Sequence, residues 1–574
     1  MLAATGTPAA SVQPALSTLA PAYRPRRPTE TVLYSVVRDY LETFLAHARD
    51  SYEAPLPRYV EEELRGYLRC GVFAHGFVRA HCDTCGHDLL VAFSCKARSV
   101  CPSCAGRRMA NTAANLVDRV LPAVPVRQWV LSLPWELRAL AAFKADVLSA
   151  LARIFVEAIF ARNLRWAKER GLGEARSGAV THVQRFGSSV NLNVHFHVMV
   201  LDGVFTREEP GHPLFHPAPP PTRAELDQVV RHVHRRAVAW LARAGHLGAS
   251  SEARSQDAHA QTSLDACAAV AMGRGAVRAI RDDPGAPEDG ATGVDTPPAD
   301  GSAVDHDGFN LHASVAIGGD DDLGRERLMR YGARPPLALD RLRRLPGGRI
   351  AYRIKKLRDG RAKHRVMTPL EFLARLAAIV PPPRYPLLRY HGVLGPRSSW
   401  RRDVVPKAPK ARSCEQRPPT KEQVPESRPD GARDGACEVA QRPGASREHS
   451  ISTPAPTSVA DTPAVLGGER GTGAAPPKAV MLTPNVLSTK HWSRLLGGAL
   501  YAASPRVDWA TLLRRSFDVD VLRCAGCGGR LRVLGEVTEP SLVRVVLESL
   551  GLPPDAPPVA RARDPTDLLG AEVD

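Results

Sequence analysis

The chain has 574 residues and carries 77 Lys and Arg against 60 Asp and Glu, a net charge of +17. This length predicts two to four domains, and the basic surplus suits a polyanionic partner, nucleic acid before a membrane. The sequence has no apolar run of about 18 residues and no signal peptide, so we expect no membrane span and a cytosolic protein. In that compartment the 11 cysteines are better explained as metal ligands than as disulfides.

The N-terminal part combines helices with a cysteine-rich segment. We expect residues 1–30 to be disordered, and residues 31–122 to form a helical and zinc-binding domain, with two helices around a break at Pro55–Pro57. Two C-x2-C knuckles separated by 15 residues match the spacing of a zinc site, which predicts four thiolates on one zinc ion. These ligands would be Cys82, Cys85, Cys101 and Cys104. The surrounding residues could build a second zinc site or simply pack around the first: Cys70, His75, His87 and Cys95.

The segment 191–205 alternates between apolar and polar residues as a strand does. His195 and His197 fall on one face about 7 Å apart along the strand, close enough to bind one metal ion or one phosphate, although a half-exposed strand would show the same pattern. A strand over 179–186 precedes it and offers His182 or Gln184 as a third ligand. Before these, the sequence predicts a helix over 106–122, a strand over 126–134 and a long helix over 139–171.

The remaining segments alternate between ordered and irregular composition. A helix over 222–247 is followed by an insertion at 249–307, which we expect to be largely irregular. A strand at 309–317 and a short helix follow, and Tyr331 lies on that helix among Arg327, Arg330 and Arg334. Residues 401–485 have the composition of a disordered linker. The module at 486–574 has one knuckle, Cys524 and Cys527, which is half a zinc site that could pair with His491, with another chain or with nothing.

Taken together, residues 60–400 resemble the rolling-circle transposases of the insertion sequence 91 family, which are HUH single-strand endonucleases. The resemblance rests on the cysteine run ending Cys101-Pro-Ser-Cys104-Ala-Gly-Arg-Arg-Met, on His195-Phe-His197 followed by Asp-Gly-Val-Phe, and on Tyr331 before Arg334-Pro-Pro-Leu. It implies an α+β fold, in which an antiparallel sheet carries the histidines on a central strand. The catalytic domain would span 123–400.

The resemblance also implies the chemistry. Mg²⁺ or Mn²⁺ would bind His195, His197 and Gln184, the last because Gln184-Arg-Phe-Gly-Ser looks like its counterpart in the family. Tyr331 would cut single-stranded DNA at the ends of a mobile element through a 5′-phosphotyrosine, with DNA contacts from the three nearby arginines. Zinc would be structural. The resemblance places the protein in the bacterial cytoplasm, at the nucleoid, and is compatible with a homodimer.

Two observations leave alternatives open. Many relatives carry two tyrosines four residues apart, but here Arg327 and Pro335 occupy those positions, so the chain resembles the one-tyrosine branch. Tyr390, beside His391, is a rival nucleophile. The alternative functions are a zinc-dependent DNA-binding regulator without nuclease activity, and a plasmid replication initiator or relaxase that uses the same chemistry on another target.

Overall fold

The computed structural model describes residues 23–207, 212–246, 262–273, 303–356, 362–406 and 509–564. The helices are α1 (Val32–Ser51), α2 (Arg58–Arg69), α3 (Pro102–Arg119), α4 (Trp135–Phe143), α5 (Ala145–Glu169), α6 (Arg223–Arg243), α7 (Ser263–Ala271), α8 (Asp322–Gly332), α9 (Pro369–Ile379), α10 (Arg401–Val404), α11 (Trp509–Phe517) and α12 (Pro540–Ser549). The strands are β1 (Phe77–His81), β2 (Asp88–Ala92), β3 (Val126–Ser132), β4 (Ala175–Arg176), β5 (Gly178–Phe186), β6 (Leu192–Leu201), β7 (Gly203–Thr206), β8 (Leu214–Pro217), β9 (Val304–His306), β10 (Phe309–His312), β11 (Ala316–Ile317), β12 (Leu342–Arg344), β13 (Ile350–Lys356), β14 (Ala362–Met367), β15 (Leu388–Gly392) and β16 (Arg532–Val537).

The histidine strand lies inside the largest sheet, whose order is β15-β5-β6-β3-β10-β9, with β11 also paired to β3. All of these pairings are antiparallel. The register sets His195 opposite Gln184 on one side and Ser132 on the other. The expected α+β fold, with an antiparallel sheet and the histidines on a central strand, is therefore confirmed.

Both faces of β6 are buried, so the structure excludes the alternative of a half-exposed strand. The apolar face is fully covered by the main core, to which α1, α5, α6 and α9 contribute; its residues are Leu192, Val194, Phe196, Val198 and Val200. The histidine face is covered by a second cluster, in which Leu116 and Val117 of α3 meet Leu328 and Met329 of α8. A strand with two buried faces needs partners from distant parts of the chain, which its own alternation cannot show.

The structure corrects three further expectations. The helix predicted over 139–171 is two helices, α4 and α5, separated at the extended Lys144. Within the range 249–307, the described residues include α7 and β9, and Cys267 of α7 is buried in the main core, while residues 249–261 and 274–302 lie outside the described part of the chain. Residues 28–30, expected to be disordered, form a 3-10 turn, while residues 1–22 lie outside the described part of the chain.

The C-terminal module packs on the N-terminal domain. Strand β16 pairs antiparallel with β1, which makes the hairpin β1–β2 a three-stranded sheet. Val537, Val543 and Leu547 of the module share one apolar cluster with Phe77 and Leu90. The linker predicted over 401–485 begins with the short helix α10; its residues from 407 onward, and His491, lie outside the described residues. Among the described helices, none is long and apolar enough to cross a membrane.

Candidate active site

Two imidazoles and one phenol meet on the polar face of β6. The ring centroids of His195 and His197 are 4.9 Å apart, and the ring of Tyr331 stands edge-on to His197 at 5.4 Å. Both histidines are buried, with 4% and 3% of their surface exposed, whereas Tyr331 is 48% exposed. The site therefore combines two buried imidazoles with one phenol that solvent can reach.

Hydrogen bonds fix how the histidines present their ring nitrogens. His195 Nδ1 lies 2.9 Å from the Asn193 carbonyl oxygen and donates to it, so Nε2 is the unprotonated nitrogen of the neutral ring. His197 Nδ1 accepts from Gln128 Nε2 at 2.7 Å, which leaves the proton of the neutral ring on its Nε2, a buried atom without a hydrogen-bond partner. Burial, then the nearby His195 and Arg334, holds the pKa of His197 well below its ordinary value. A neutral imidazole binds a cation through its unprotonated nitrogen, so Nε2 of His197 could do so only with the Gln128 amide turned to offer its oxygen to Nδ1–H.

Gln184, the expected third ligand, is bound to the tyrosine helix instead of to the histidines. Its Nε2 donates to the carbonyl oxygens of Tyr331 and Gly332, both at 2.9 Å, and its Oε1 accepts from Arg334 Nε at 3.2 Å. The amide thus holds the C-terminal end of α8 against the sheet. Among the described residues, no set of three His, Cys, Asp or Glu ligand atoms within 4.8 Å of one another includes the two histidines, so an amide oxygen remains the candidate.

The alternative ligand, His182, performs a packing role under α8. It lies opposite His197 in the register, and burial lowers its pKa to about 4. A Cβ atom built on Gly332 would lie 2.9 Å from His182 Cδ2 and 2.9 Å from the Met199 methyl. The helix can therefore approach the sheet this closely only because residue 332 is glycine.

The rival tyrosine lies on the same sheet but in a different environment. Tyr390, on β15, pairs with Val180 of β5 and packs against the cluster under α8. Burial raises its pKa, which disfavours the phenolate, and Arg401 lies over its ring. Tyr331 instead has the Arg334 guanidinium 5.0 Å from its ring centroid and the histidines beside it. Of the two phenols, Tyr331 is therefore the exposed one beside the histidines.

The eight knuckle and flanking cysteines form two separate clusters, Cys70, Cys95, Cys101 and Cys104, and Cys82, Cys85, Cys524 and Cys527. Neighbouring sulfurs lie 3.6 Å apart in the first cluster and 3.5 to 3.6 Å apart in the second. A tetrahedron with zinc–sulfur bonds of about 2.3 Å has edges of about 3.8 Å, so both sets fit one Zn²⁺ ion. In the first cluster Arg26 donates to Cys70 Sγ at 2.8 Å and offsets the thiolate charge.

The single zinc site expected from the two knuckles is therefore wrong, because a hairpin separates them. Cys82 and Cys85 lie at the tip of β1–β2, whereas Cys101 and Cys104 begin α3 near the hairpin's base. Five residues of strand span about 17 Å, too far for four thiolates to meet. The base instead gathers Cys70 and Cys95, which precede and follow the hairpin.

Comparisons with known families agree with this arrangement of domains. Residues 36–133 match a family model described as "Transposase zinc-binding domain", of the insertion sequence 91 type, and residues 178–401 match one described as "Putative transposase". The chain belongs to the insertion sequence 91 transposase family. No curated protein and no solved structure matches it. The zinc-binding domain precedes the transposase domain, and the four-cysteine clusters support structural Zn²⁺.

Within the transposase, a cavity of about 130 Å³ opens beside the tyrosine helix. Arg98, Arg108 and Thr112 of the zinc-binding domain line one side of it. The other side includes the active-site residues His182, Gln184 and Arg334, together with Phe186. The two matched domains therefore line one cavity together, at the C-terminal end of the tyrosine helix.

Arg327, Arg330 and Arg334, expected to contact DNA, have different environments. Arg327 is exposed one turn before Tyr331, and Arg334 is bound to Gln184 and the tyrosine ring. Arg330 is engaged by Glu326 at 2.5 Å and Ser516 at 3.0 Å, so it joins two parts of the fold.

Sequence reasoning missed Gln128 and Gly332. Gln128 lies on the predicted strand at 126–134, and its position opposite Met199 on the histidine face depends on the register between β3 and β6. Gly332 follows the nucleophile directly, which was a usable signal, because a glycine at that place permits close approach.

Proposed function

We propose that this transposase nicks and rejoins single-stranded DNA at the ends of its own mobile element, by a rolling-circle pathway, with Tyr331 as the nucleophile. One observation carries the proposal: the exposed phenol of Tyr331 stands beside two buried imidazoles, of which His197 has a buried Nε2 without a hydrogen-bond partner. Buried polar groups without partners beside an exposed tyrosine are typical of functional sites.

The chemistry is a transesterification. The Tyr331 oxygen attacks phosphorus and gives up its phenolic proton, while the bond from phosphorus to the 3′ oxygen breaks and that oxygen takes a proton. The DNA is left with a free 3′-hydroxyl and a 5′-phosphate ester on Tyr331. The same steps in reverse rejoin a strand, because the ester conserves the bond energy.

His195 and His197 would hold a divalent cation, Mg²⁺ or Mn²⁺, with the Gln184 oxygen as third ligand once it releases Arg334. When bound, such a cation polarises a phosphate and orients it. Gln128 orients His197, and metal binding at Nε2 requires its amide to present the oxygen to Nδ1–H. Arg334 lies over the tyrosine ring and would neutralise the phosphate, while Arg327 would hold the flanking strand.

Two further aspects follow from the family resemblance. With one tyrosine at this site, a second strand transfer would use a second copy of the chain, which makes a homodimer part of the proposal. A DNA substrate of this kind would be met in the cytoplasm, at the nucleoid, which is where we propose that the protein acts.

The test is covalent capture of DNA. The full chain is incubated with labelled single strands from the element's ends and Mg²⁺ or Mn²⁺, and a protein–DNA adduct is sought on a denaturing gel. We expect an adduct that Tyr331→Phe and the His195→Ala/His197→Ala double variant abolish. Tyr390→Phe is the matched control and should keep it.

Other outcomes assign other functions. An adduct lost in Tyr390→Phe but kept in Tyr331→Phe would move the nucleophile to β15. Salt-sensitive DNA binding without any adduct would favour the non-catalytic regulator. Capture of a plasmid origin strand in preference to the element's ends would indicate an initiator or relaxase.

A further inference from the structure

The second cysteine cluster draws its ligands from both ends of the chain. Cys82 Sγ lies 3.5 Å from Cys527 Sγ, and Cys85 Sγ lies 3.6 Å from Cys524 Sγ, across sequence separations of 445 and 439 residues. Cys524 and Cys527 lie outside both matched family regions. We infer that these four cysteines hold a second Zn²⁺ ion, and that the C-terminal module fastened there positions the tyrosine helix through Arg515.

Further contacts near the second cysteine cluster join the N-terminal domain to the C-terminal module. Strand β16 continues from the C-terminal knuckle and pairs with β1, which leads into Cys82. Arg532 binds Asp83 between the two knuckles, with its Nε and Nη2 at 3.0 and 2.9 Å from the carboxylate. Farther along, the backbone N–H of Ala560 donates to the Arg38 carbonyl of α1 at 3.1 Å. The C-terminal module is therefore attached at the knuckle and at α1.

From this anchored module, α11 reaches the helix of the nucleophile. Arg515 binds both carboxylate oxygens of Asp118 on α3, at 2.6 and 2.9 Å, and its Nε donates to Glu326 of α8 at 2.7 Å. Leu512, on the same helix, is buried against Ala110 and Ala114 of α3. Arg515 thus connects the zinc-binding domain and the tyrosine helix in one set of ion pairs.

Glu326 links the contacts of Arg515 to the position of Tyr331. Its side chain is 6% exposed, and its two oxygens accept from Arg330 and Arg515. A buried carboxylate that loses a cation is strongly destabilised, so α8 would move to hydrate it. Glu326 is five residues before Tyr331 on an 11-residue helix, so such a movement reaches the phenol. Arg515 is accordingly a positioning residue, not a catalytic one.

The zinc assignment is tested on the purified full chain by counting zinc ions per chain with elemental mass spectrometry. We expect two ions, and one ion in either Cys524→Ser/Cys527→Ser or Cys82→Ser/Cys85→Ser. Cys267→Ser, at a buried cysteine outside both clusters, is the matched control and should keep two. Two ions in the knuckle variants, or one in the unaltered chain, would overturn the assignment.

Loss of zinc through misfolding is separated by a conservative variant. Cys527→His should keep two metal ions and, with Co²⁺ in place of zinc, shift the absorption bands from those of a four-thiolate site to those of a site with one imidazole. An unchanged cobalt spectrum would show that Cys527 is not a ligand.

The positioning role is tested by hydrogen exchange of the α8 backbone amides, 322–332, and by the rate of DNA adduct formation. Arg515→Ala should raise the exchange and slow adduct formation about tenfold, less than the roughly hundredfold that a 1 Å misplacement brings. Arg515→Lys should restore part of both, because it keeps the charge. Arg514→Ala is the matched control, since Arg514 is exposed and binds only Asp520 among the contacts described.

Only the adduct measurement rests on the proposed function. If the unaltered chain forms no adduct, the proposed nuclease function fails. The zinc counts and the hydrogen exchange of α8 still decide whether the second zinc site and the positioning role of Arg515 are correct. If Arg515→Ala leaves the exchange of α8 unchanged, the positioning role is refuted even when Tyr331 forms the adduct.

Discussion

Replacing Gly332 with alanine would push the tyrosine helix off the histidine face. The added methyl would lie 2.9 Å from His182 Cδ2 and from the Met199 methyl, against the 3.4 to 4 Å of an ordinary contact. The Met199 methyl can rotate away, but the buried His182 ring cannot. The helix must therefore shift by about 0.5 Å, the difference between the contact present and the contact required.

The two energetic consequences oppose each other. Overpacking costs about 1 to 3 kcal/mol, and alanine gains about 1 kcal/mol over glycine inside a helix. We expect a net loss of 0 to about 2 kcal/mol in the free energy of unfolding. Adduct formation should slow more, by about 10- to 100-fold, because Tyr331 is the adjacent residue and reactions of this kind depend steeply on position.

The assay is the single-turnover rate of adduct formation beside the urea midpoint of unfolding. Gly106→Ala in α3 is the matched control, since a methyl there would meet nothing within 4 Å and should stabilise the helix. The reasoning would be refuted if Gly332→Ala stabilised the protein as Gly106→Ala does and kept the adduct rate of the unaltered chain.

Three further outcomes follow from buried polar groups. Gln128→Ala should weaken cation binding about 10- to 100-fold, seen as a higher Mn²⁺ requirement for adduct formation, because His197 loses its orienting partner; an unchanged requirement would exclude His197 as a ligand. Arg185→Met should lower the free energy of unfolding by about 3 kcal/mol, because Arg185 donates to three carbonyls at the end of α9, whereas Arg153→Met at an exposed pair should be neutral. Burial, then a neighbouring arginine, lowers the pKa of His391 to about 4. The unfolded chain therefore binds the proton first, so stability present above about pH 6.5 is lost as the pH falls toward 4, by at most about 3 kcal/mol. His391→Gln should reduce this loss of stability at low pH. If the free energy of unfolding of the variant and of the unaltered chain depended equally on pH, the prediction would be contradicted.

Local sequence patterns are sufficient to predict strand β6 and to place His195 and His197 on the same face of it. The alternation of 191–205 predicts which residues of β6 share a face, and the strand predicted over 179–186 pairs with β6 so that Gln184 lies opposite His195. That both faces are covered depends on α3 and α8, which lie far away in the sequence. No periodicity within one segment reports such packing.

The zinc ligands are a second case in which local sequence patterns do not report long-range packing. The spacing from Cys85 to Cys101 is compatible with one site, but it says nothing about the hairpin that separates the knuckles. Cys70 and Cys95 looked secondary, yet they complete the site at the hairpin's base. The partners of Cys82 are more than 440 residues away, and only the three-dimensional fold brings them together.

The pairing of β16 with β1 has a consequence for how the protein is made. A ribosome adds about 5 to 20 residues per second, so the edge of β1 would wait roughly 20 to 90 s for its partner strand. During that interval the growing chain exposes an unpaired strand edge and two unmatched thiols at Cys82 and Cys85. A messenger RNA truncated before the codons of β16 would yield a protein in which the edge of β1 stays unpaired. Strand β16, the last of the described strands, completes the sheet that β1 and β2 begin.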